Sequence, residues 1–221
     1  MKTEKIVLAG GCFWCLEPVF KRIKGVQSVI CGYTGGTLNA PTYDDVCTGK
    51  TGHAEAIKVE FDSSEISLSE LLDIFFAIHD PTTLNRQGAD TGTQYRSAIF
   101  YNNDEQLEIA KNAILETEKK GTWKSPVVTT LERLAEFFEA EEYHQDFFTK
   151  NPSNRYCQIS ISPKLAKLEK IIKHVAPLVP HRHAICPTVR RNQPLRAVVR
   201  DARYPARRAR DCRRSTAPHL T

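Results

Sequence analysis

Two cysteines three positions apart are the residues best placed to do chemistry in this 221-residue chain: Cys12 and Cys15, in Gly10-Gly11-Cys12-Phe13-Trp14-Cys15. They follow a short apolar run, Ile6 to Ala9, and precede an amphipathic stretch, so the first thiol falls where a strand ends and a helix begins. A thiol there is exposed to the unpaired N–H groups and positive dipole end of the helix, which favour its thiolate. The glycines let the chain turn tightly and leave the sulfur open to approach. Phe13 and Trp14 suit an apolar substrate group, and the Cys-x-x-Cys spacing lets an oxidised first cysteine close to a disulfide. A zinc site is the competing reading. It normally needs a second ligand cluster, and the other five cysteines (Cys31, Cys47, Cys157, Cys186 and Cys212) are solitary.

Several elements must position this pair. Ile6 to Ala9 reads as a buried strand ended by Gly10-Gly11. Leu16, Val19, Phe20 and Ile23 then line one face of a helix that Gly25 ends, with Pro18 tolerable only in its first turn. Ala54 to Phe61 alternates as a strand, with Ile57, Val59 and Phe61 on one side and Ala56 and Lys58 on the other. Ser67-Leu68-Ser69-Glu70 is a capping box that opens a helix through about Ile78. Arg96 to Asn102 reads as a strand. Asp104 begins a long helix stopped near Gly121, with Leu107, Ala110 and Ile114 on one face. Pro126 to Leu131 is β-rich, and a last helix covers about Pro163 to His174. Strands that alternate with helices point to an α/β layered domain.

The formal net charge of +5 hides an asymmetry. Residues 1–174 carry a net −4, whereas residues 175–221 carry 11 Arg, no Lys and only two Asp, a net +9. Six prolines interrupt that last segment and its apolar periodicity is lost, so it reads as a disordered Arg/Pro-rich tail. Binding of nucleic acid by the tail is the alternative, but only Tyr204 is available for base stacking. No stretch is long enough to span a bilayer, and the start lacks the apolar region of a secretory signal, so a cytosolic monomer is the expectation.

Six blocks of sequence together resemble one family. Gly11-Cys12-Phe13-Trp14-Cys15-Leu16-Glu17-Pro18, Gly32–Gly36, Thr42–Glu55, His79–Thr83, Asp90–Phe100 and Ala140–Pro152 are similar, in this order, to blocks of the A-type peptide methionine sulfoxide reductases. The resemblance runs from about residue 4 to 173. It implies an α/β (α+β) two-layer sandwich, ferredoxin-like, with a mixed sheet flanked by helices. Residues 1–174 would form the catalytic domain.

The resemblance also assigns roles. Cys12 matches the nucleophile that attacks the sulfoxide sulfur. Glu55 matches the acid that protonates the departing oxygen, which it can do near neutrality only if burial raises its pKa. Tyr43 and Tyr95 match hydroxyls that hold the sulfoxide oxygen, Asp90 a carboxylate supporting the site around Tyr95, and Phe13 and Trp14 the contacts to the S-methyl group. Read singly, Glu55 would pass for an exposed strand residue, the tyrosines for ordinary packing residues and Asp90 for a turn residue. His53, His79 and His144 are assigned structural hydrogen bonds, and a papain-like Cys12–His53 pair is the competing nucleophile arrangement.

Attack leaves Cys12 as a sulfenic acid, which a second thiol must reduce. Cys15 is the nearest in sequence, with Cys157 and Cys186 as alternates, because the glycine-rich C-terminal segment of many relatives is missing here. Cys31 and Cys47 read as core residues. The resulting disulfide would pass to thioredoxin or a similar dithiol, with no metal or organic cofactor, and the substrates would be the S epimer of methionine sulfoxide, free or in oxidised proteins. A peroxidase or disulfide oxidoreductase built on the same thiol pair is the rival reading.

Overall fold

The computed structural model describes the backbone of residues 2–175 and the side chains of residues 2–171. The expected tail, with Cys186 and Cys212, lies outside the described residues. The chain runs β1 (Thr3–Gly10), α1 (Phe13–Phe20), β2 (Val26–Thr34), α2 (Tyr43–Cys47), β3 (Ala54–Asp62), α3 (Leu68–Ile78), β4 (Arg86–Gln87), β5 (Asp90–Thr91), β6 (Ser97–Tyr101), α4 (Asp104–Lys119), β7 (Thr130–Arg133), β8 (Phe137–Glu139), α5 (Phe147–Lys150) and α6 (Ser162–Val175).

Six strands form one sheet in the order β7-β6-β1-β3-β2-β8, and β4 and β5 form a separate two-stranded ribbon. All neighbours in the large sheet are antiparallel except β6 and β7, so the sheet is mixed. Alternation along each strand sorts the side chains into two unequal sets. Ile6, Leu8, Val29, Ile57, Val59, Phe61 and Ile99 face α1, α3, α4 and α6 in the main core. Val7, Ala9, Ala54, Ala56, Ala98 and Phe100 form a thinner layer on the other face, closed by Leu134 and Phe137. Helices therefore cover one face of the sheet. Phe13, Phe20, Phe61 and Phe75 have no solvent exposure, and burial of such a side chain contributes about 1.5–3 kcal/mol.

Local signals place most of these elements. Ser67 and Glu70 make the anticipated capping box at α3, and Thr42 with Asp45 makes a second one at α2. Gln106, Ala110, Ala113 and Thr117 form the buried stripe of α4, while Leu107 and Ile114 lie at its margins. One expectation needs correction. Pro18 lies in the second turn of α1, because the helix already starts at Phe13; it leaves the Trp14 carbonyl without its helical N–H partner. β2 carries no clear apolar alternation in sequence, yet it forms the longest ladder of the sheet with β3. The Gln145 side chain completes its outer edge by accepting from the Cys31 N–H and donating to the Cys31 and Ala140 carbonyls.

Among the described residues no helix is long and apolar enough to cross a membrane, and no cluster of His, Cys, Asp and Glu could hold a metal ion.

Candidate active site

Cys12 is the N-cap residue of α1, and Gly11 before it sits at φ +92°. A Cβ on Gly11 would fall 2.5 Å from Gln87 Cγ. Gln87 cannot easily withdraw, because its amide donates to the Asp80 carbonyl and accepts from the Asp80 N–H. The β4–β5 ribbon pairs Gln87 with Asp90. One small element thus packs against the turn before Cys12 and also carries the Asp90 carboxylate.

Glu55 reaches the same point from β3, on the helix-covered side of the sheet. It is almost completely buried, and its Oε2 accepts the first N–H of α1, from Phe13, at 3.1 Å. Burial raises its pKa to about 8, with the nearby Asp90 adding to the rise and the Phe13 N–H and a hydrogen bond with Cys12 opposing it. At neutral pH the group is therefore an un-ionised acid beside the Cys12 sulfur. The condition that sequence set for a proton donor is met.

Cys12 itself departs from expectation. It stands at the helix start, but burial raises its pKa well above the usual thiol value, and a hydrogen bond with Cys15 and the carboxyls of Glu55 and Asp90 act in the same direction. One of the N–H groups at the helix start is taken by Glu55. Cys15, one turn on, moves the other way, to about 7: its hydrogen bond with Cys12 is the leading cause, helped by Lys164 and Tyr156. The two thiols titrate as one pair. Both are reduced, as are Cys31 and Cys157.

Around them lies an aromatic wall. Trp14 stacks on Phe147 with ring centroids 3.7 Å apart and donates its indole N–H to His144 Nδ1 at 3.1 Å. Phe13 packs between Trp14, Tyr33 and His144 with no exposed surface, so it floors the site, while Trp14 keeps a little surface. Tyr43 opens α2, lies against the His144 ring, and has its backbone N–H held by Glu141. The Tyr95 hydroxyl is held protonated by burial and by the neighbouring Glu55 and Cys12, with Tyr43 and Asp90 adding to the effect. Cys12, Glu55, Tyr43, Tyr95 and Asp90, scattered over residues 12–95, are thus brought together. Asp90 accepts a hydrogen bond from the Tyr156 hydroxyl at 2.9 Å and lies close enough to Tyr95 to act on its hydroxyl.

The histidines are structural. His53 accepts from the Gly36 N–H and donates to the Leu38 carbonyl, so neither nitrogen is available to Cys12 and the papain-like arrangement is absent. His79 bonds the Phe75 carbonyl and Ser97 Oγ. Burial lowers both His79 and His144 to about 4 and keeps them neutral. Cys31 is a core residue as anticipated, whereas Cys47 is only half-buried at the end of α2. Sequence reasoning missed Gln87, Glu141 and Tyr156. Glu141 lies inside a family-like block, which was its only signal.

A thiol pair at a helix start, a neutral buried acid beside it and protonated tyrosines around it together define a thiol-dependent oxidoreductase. The family model described as peptide methionine sulfoxide reductase matches residues 4–176, and the chain belongs to that family. It is 57% identical over 168 residues to peptide methionine sulfoxide reductase MsrA of Saccharolobus solfataricus, and 53% identical over 167 residues to that of Trichodesmium erythraeum. Each alignment covers 76% of this chain and 94% of the relative. Among solved structures, reduced Mxr1 of Saccharomyces cerevisiae is similar at a TM-score of 0.65 and 37% identity, over 71% of this chain and 90% of that one. Methionine sulfoxide reductase A of Corynebacterium diphtheriae is similar at 0.61 and 35%, over 69% and 76%.

Proposed function

We propose that this chain reduces the S epimer of methionine sulfoxide, free or within oxidised proteins, with Cys12 as nucleophile and Glu55 as acid. The neutral, buried Glu55 hydrogen-bonded beside Cys12 carries the reading. Cys12 sulfur attacks the sulfoxide sulfur while Glu55 gives its proton to the sulfoxide oxygen. The Cys12 thiol proton replaces the one Glu55 has lost, so the step needs no net proton and a preformed thiolate is not required. Oxygen passes to Cys12 as a sulfenic acid and methionine leaves. Tyr43 and Tyr95 hold the oxygen, Trp14 and Phe13 the S-methyl group, and Asp90 orders the surrounding hydroxyls.

Cys15 then attacks the sulfenic sulfur, expels water and forms a Cys12–Cys15 disulfide. What supports it over Cys157 is its hydrogen bond with Cys12. Thioredoxin or a similar dithiol returns the pair to thiols. A monomer in the cytoplasm, with residues 1–174 as catalytic domain and 175–221 as a tail, belongs to the same reading. So does a ferredoxin-like core, β1-α1-β2-β3-α3-β6, supported by the strand order β6-β1-β3-β2.

The test is reduction of each epimer by wild type, Cys12→Ser, Glu55→Ala and Cys15→Ser, with dithiothreitol as reductant. The expected result is S-epimer activity that Cys12→Ser abolishes and Glu55→Ala slows by about 10²–10⁴-fold. Cys15→Ser should be impaired only when thioredoxin replaces dithiothreitol. Activity on hydrogen peroxide, with none on either epimer, would establish the peroxidase reading instead.

A further inference from the structure

Tyr156 lies outside every role assigned above, yet its hydroxyl touches two members of the site. It donates to Asp90 Oδ2 at 2.9 Å and lies 3.4 Å from Cys15 Sγ. With its one proton directed at a carboxylate, the phenol oxygen is left to accept from the Cys15 S–H. The residue is also held in place. Asn154 accepts its backbone N–H at 2.8 Å, its ring meets Trp14 edge-on at 6.0 Å, and it leads directly into a π-helical turn, Cys157–Ile161. Such turns are frequent at functional sites.

We propose that Tyr156 is a catalytic residue of the resolving step: its hydroxyl takes the proton from Cys15 as that thiol attacks oxidised Cys12, and passes its own proton to Asp90. The proposal rests on the reading of Cys15 as the resolving thiol. The electron pair of the Cys15 sulfur forms the S–S bond, and the S–O bond of the sulfenic acid breaks with its pair going to oxygen. Glu55, re-protonated in the first step and hydrogen-bonded beside Cys12, gives its proton to the departing hydroxide, which leaves as water; the proton gained at Asp90 balances the one lost at Glu55.

The surroundings leave few other routes. Cys15 is 3% exposed, so bulk water has little access to its sulfur. Among the described residues, the charged and titratable groups that face it are Cys12, Lys164 of α6, Tyr156, Asp90, Glu55 and Cys157. Cys12 is the electrophile in this step. Lys164 as an ammonium has no lone pair to accept with, though its charge favours the thiolate. Glu55 is engaged with Phe13 and Cys12. Tyr156 is the remaining acceptor in direct contact, and Asp90 lies behind it.

The experiment is a single turnover of the pre-reduced full chain with methionine sulfoxide and no reductant. Methionine release reports the first step; a sulfenic-acid-trapping diketone and mass analysis report the second. Tyr156→Phe keeps the ring and is expected to release one equivalent of methionine at the wild-type rate. Closure of the Cys12–Cys15 disulfide should slow by about 10²-fold at pH 5, two units below the value of about 7 at which Cys15 ionises, with trapped Cys12 adduct accumulating, and recover as rising pH ionises Cys15 without help. Asp90→Asn should slow closure in the same way. Closure by Tyr156→Phe at the wild-type rate, while Cys15→Ser stalls, overturns the relay and leaves the resolver intact. Wild-type closure by Cys15→Ser overturns the resolver itself and the relay with it. Loss of methionine release in Tyr156→Phe places the residue in the first step and also overturns the proposal.

Discussion

Glu55 is pulled in two directions. Its Oε2 caps α1 through the Phe13 N–H, which favours the carboxylate, while burial favours the acid and prevails, at about 8. The sign of the pH dependence follows. The donor is the protonated form, so the rate of methionine release should hold at neutral pH and fall as pH rises through about 8. A single-turnover pH profile checks this, and Glu55→Gln should remove the upper limb along with most of the rate. The thiols show the same competition. Sequence placed Cys12 correctly at the helix start but read its environment from the helix alone. Burial, together with Cys15 from the next turn of α1, Glu55 from β3 and Asp90 from β5, reverses the expected direction.

At the scale of elements, the site depends on close approaches that only small residues allow. A Cβ on Gly32 of β2 would collide with the Phe138 carbonyl and the Phe137 ring of β8. β8 leads directly to Ala140 and Glu141, and Glu141 holds both the Tyr43 backbone and the Tyr33 hydroxyl. Gly32→Ala is therefore expected to cost at least about 2 kcal/mol in urea unfolding, on the scale of an overpacked core, and to raise KM because Tyr43 loses its anchor. The turn at Gly11 is equally constrained, by a positive φ and by the fixed Gln87 side chain. Gly11→Ala should lower kcat with little change in KM, since it displaces the nucleophile and leaves the aromatic wall in place. Steady-state kinetics on the S epimer separate the two patterns. Most helices were legible because their caps and periods are local. β2 was not, because its place comes from β3, β8 and the Gln145 side chain, all remote in sequence.

Over the whole molecule, three buried groups titrate far from their ordinary values and contribute to the acid response. His79 and His144 fall to about 4 from 6.5, so the unfolded chain binds two more protons between these values, and stability is lost as pH drops through this range. Glu55 rises to about 8 from 4.5, so the folded chain holds one extra proton there, which opposes the histidines. For these groups the net slope between pH 4.5 and 6.5 is one proton, or about 1.4 kcal/mol per pH unit. Glu55→Gln should double it, and urea unfolding at pH 5 and 6 is the measurement. Truncation after Val175 should leave methionine sulfoxide reduction intact; loss of the activity would assign residues 176–221 a part in it. Sequence by itself determined the family and most local elements and singled out Cys12 and Glu55 as candidates, because cysteine spacing, capping boxes and ordered motif blocks are carried by neighbouring residues. Only the tertiary structure decided how the thiols titrate, which residue Asp90 bonds, that His53 is unavailable and that Tyr156 reaches Cys15. These depend on burial and on contacts that local pattern does not reveal, among them one between residues 141 positions apart.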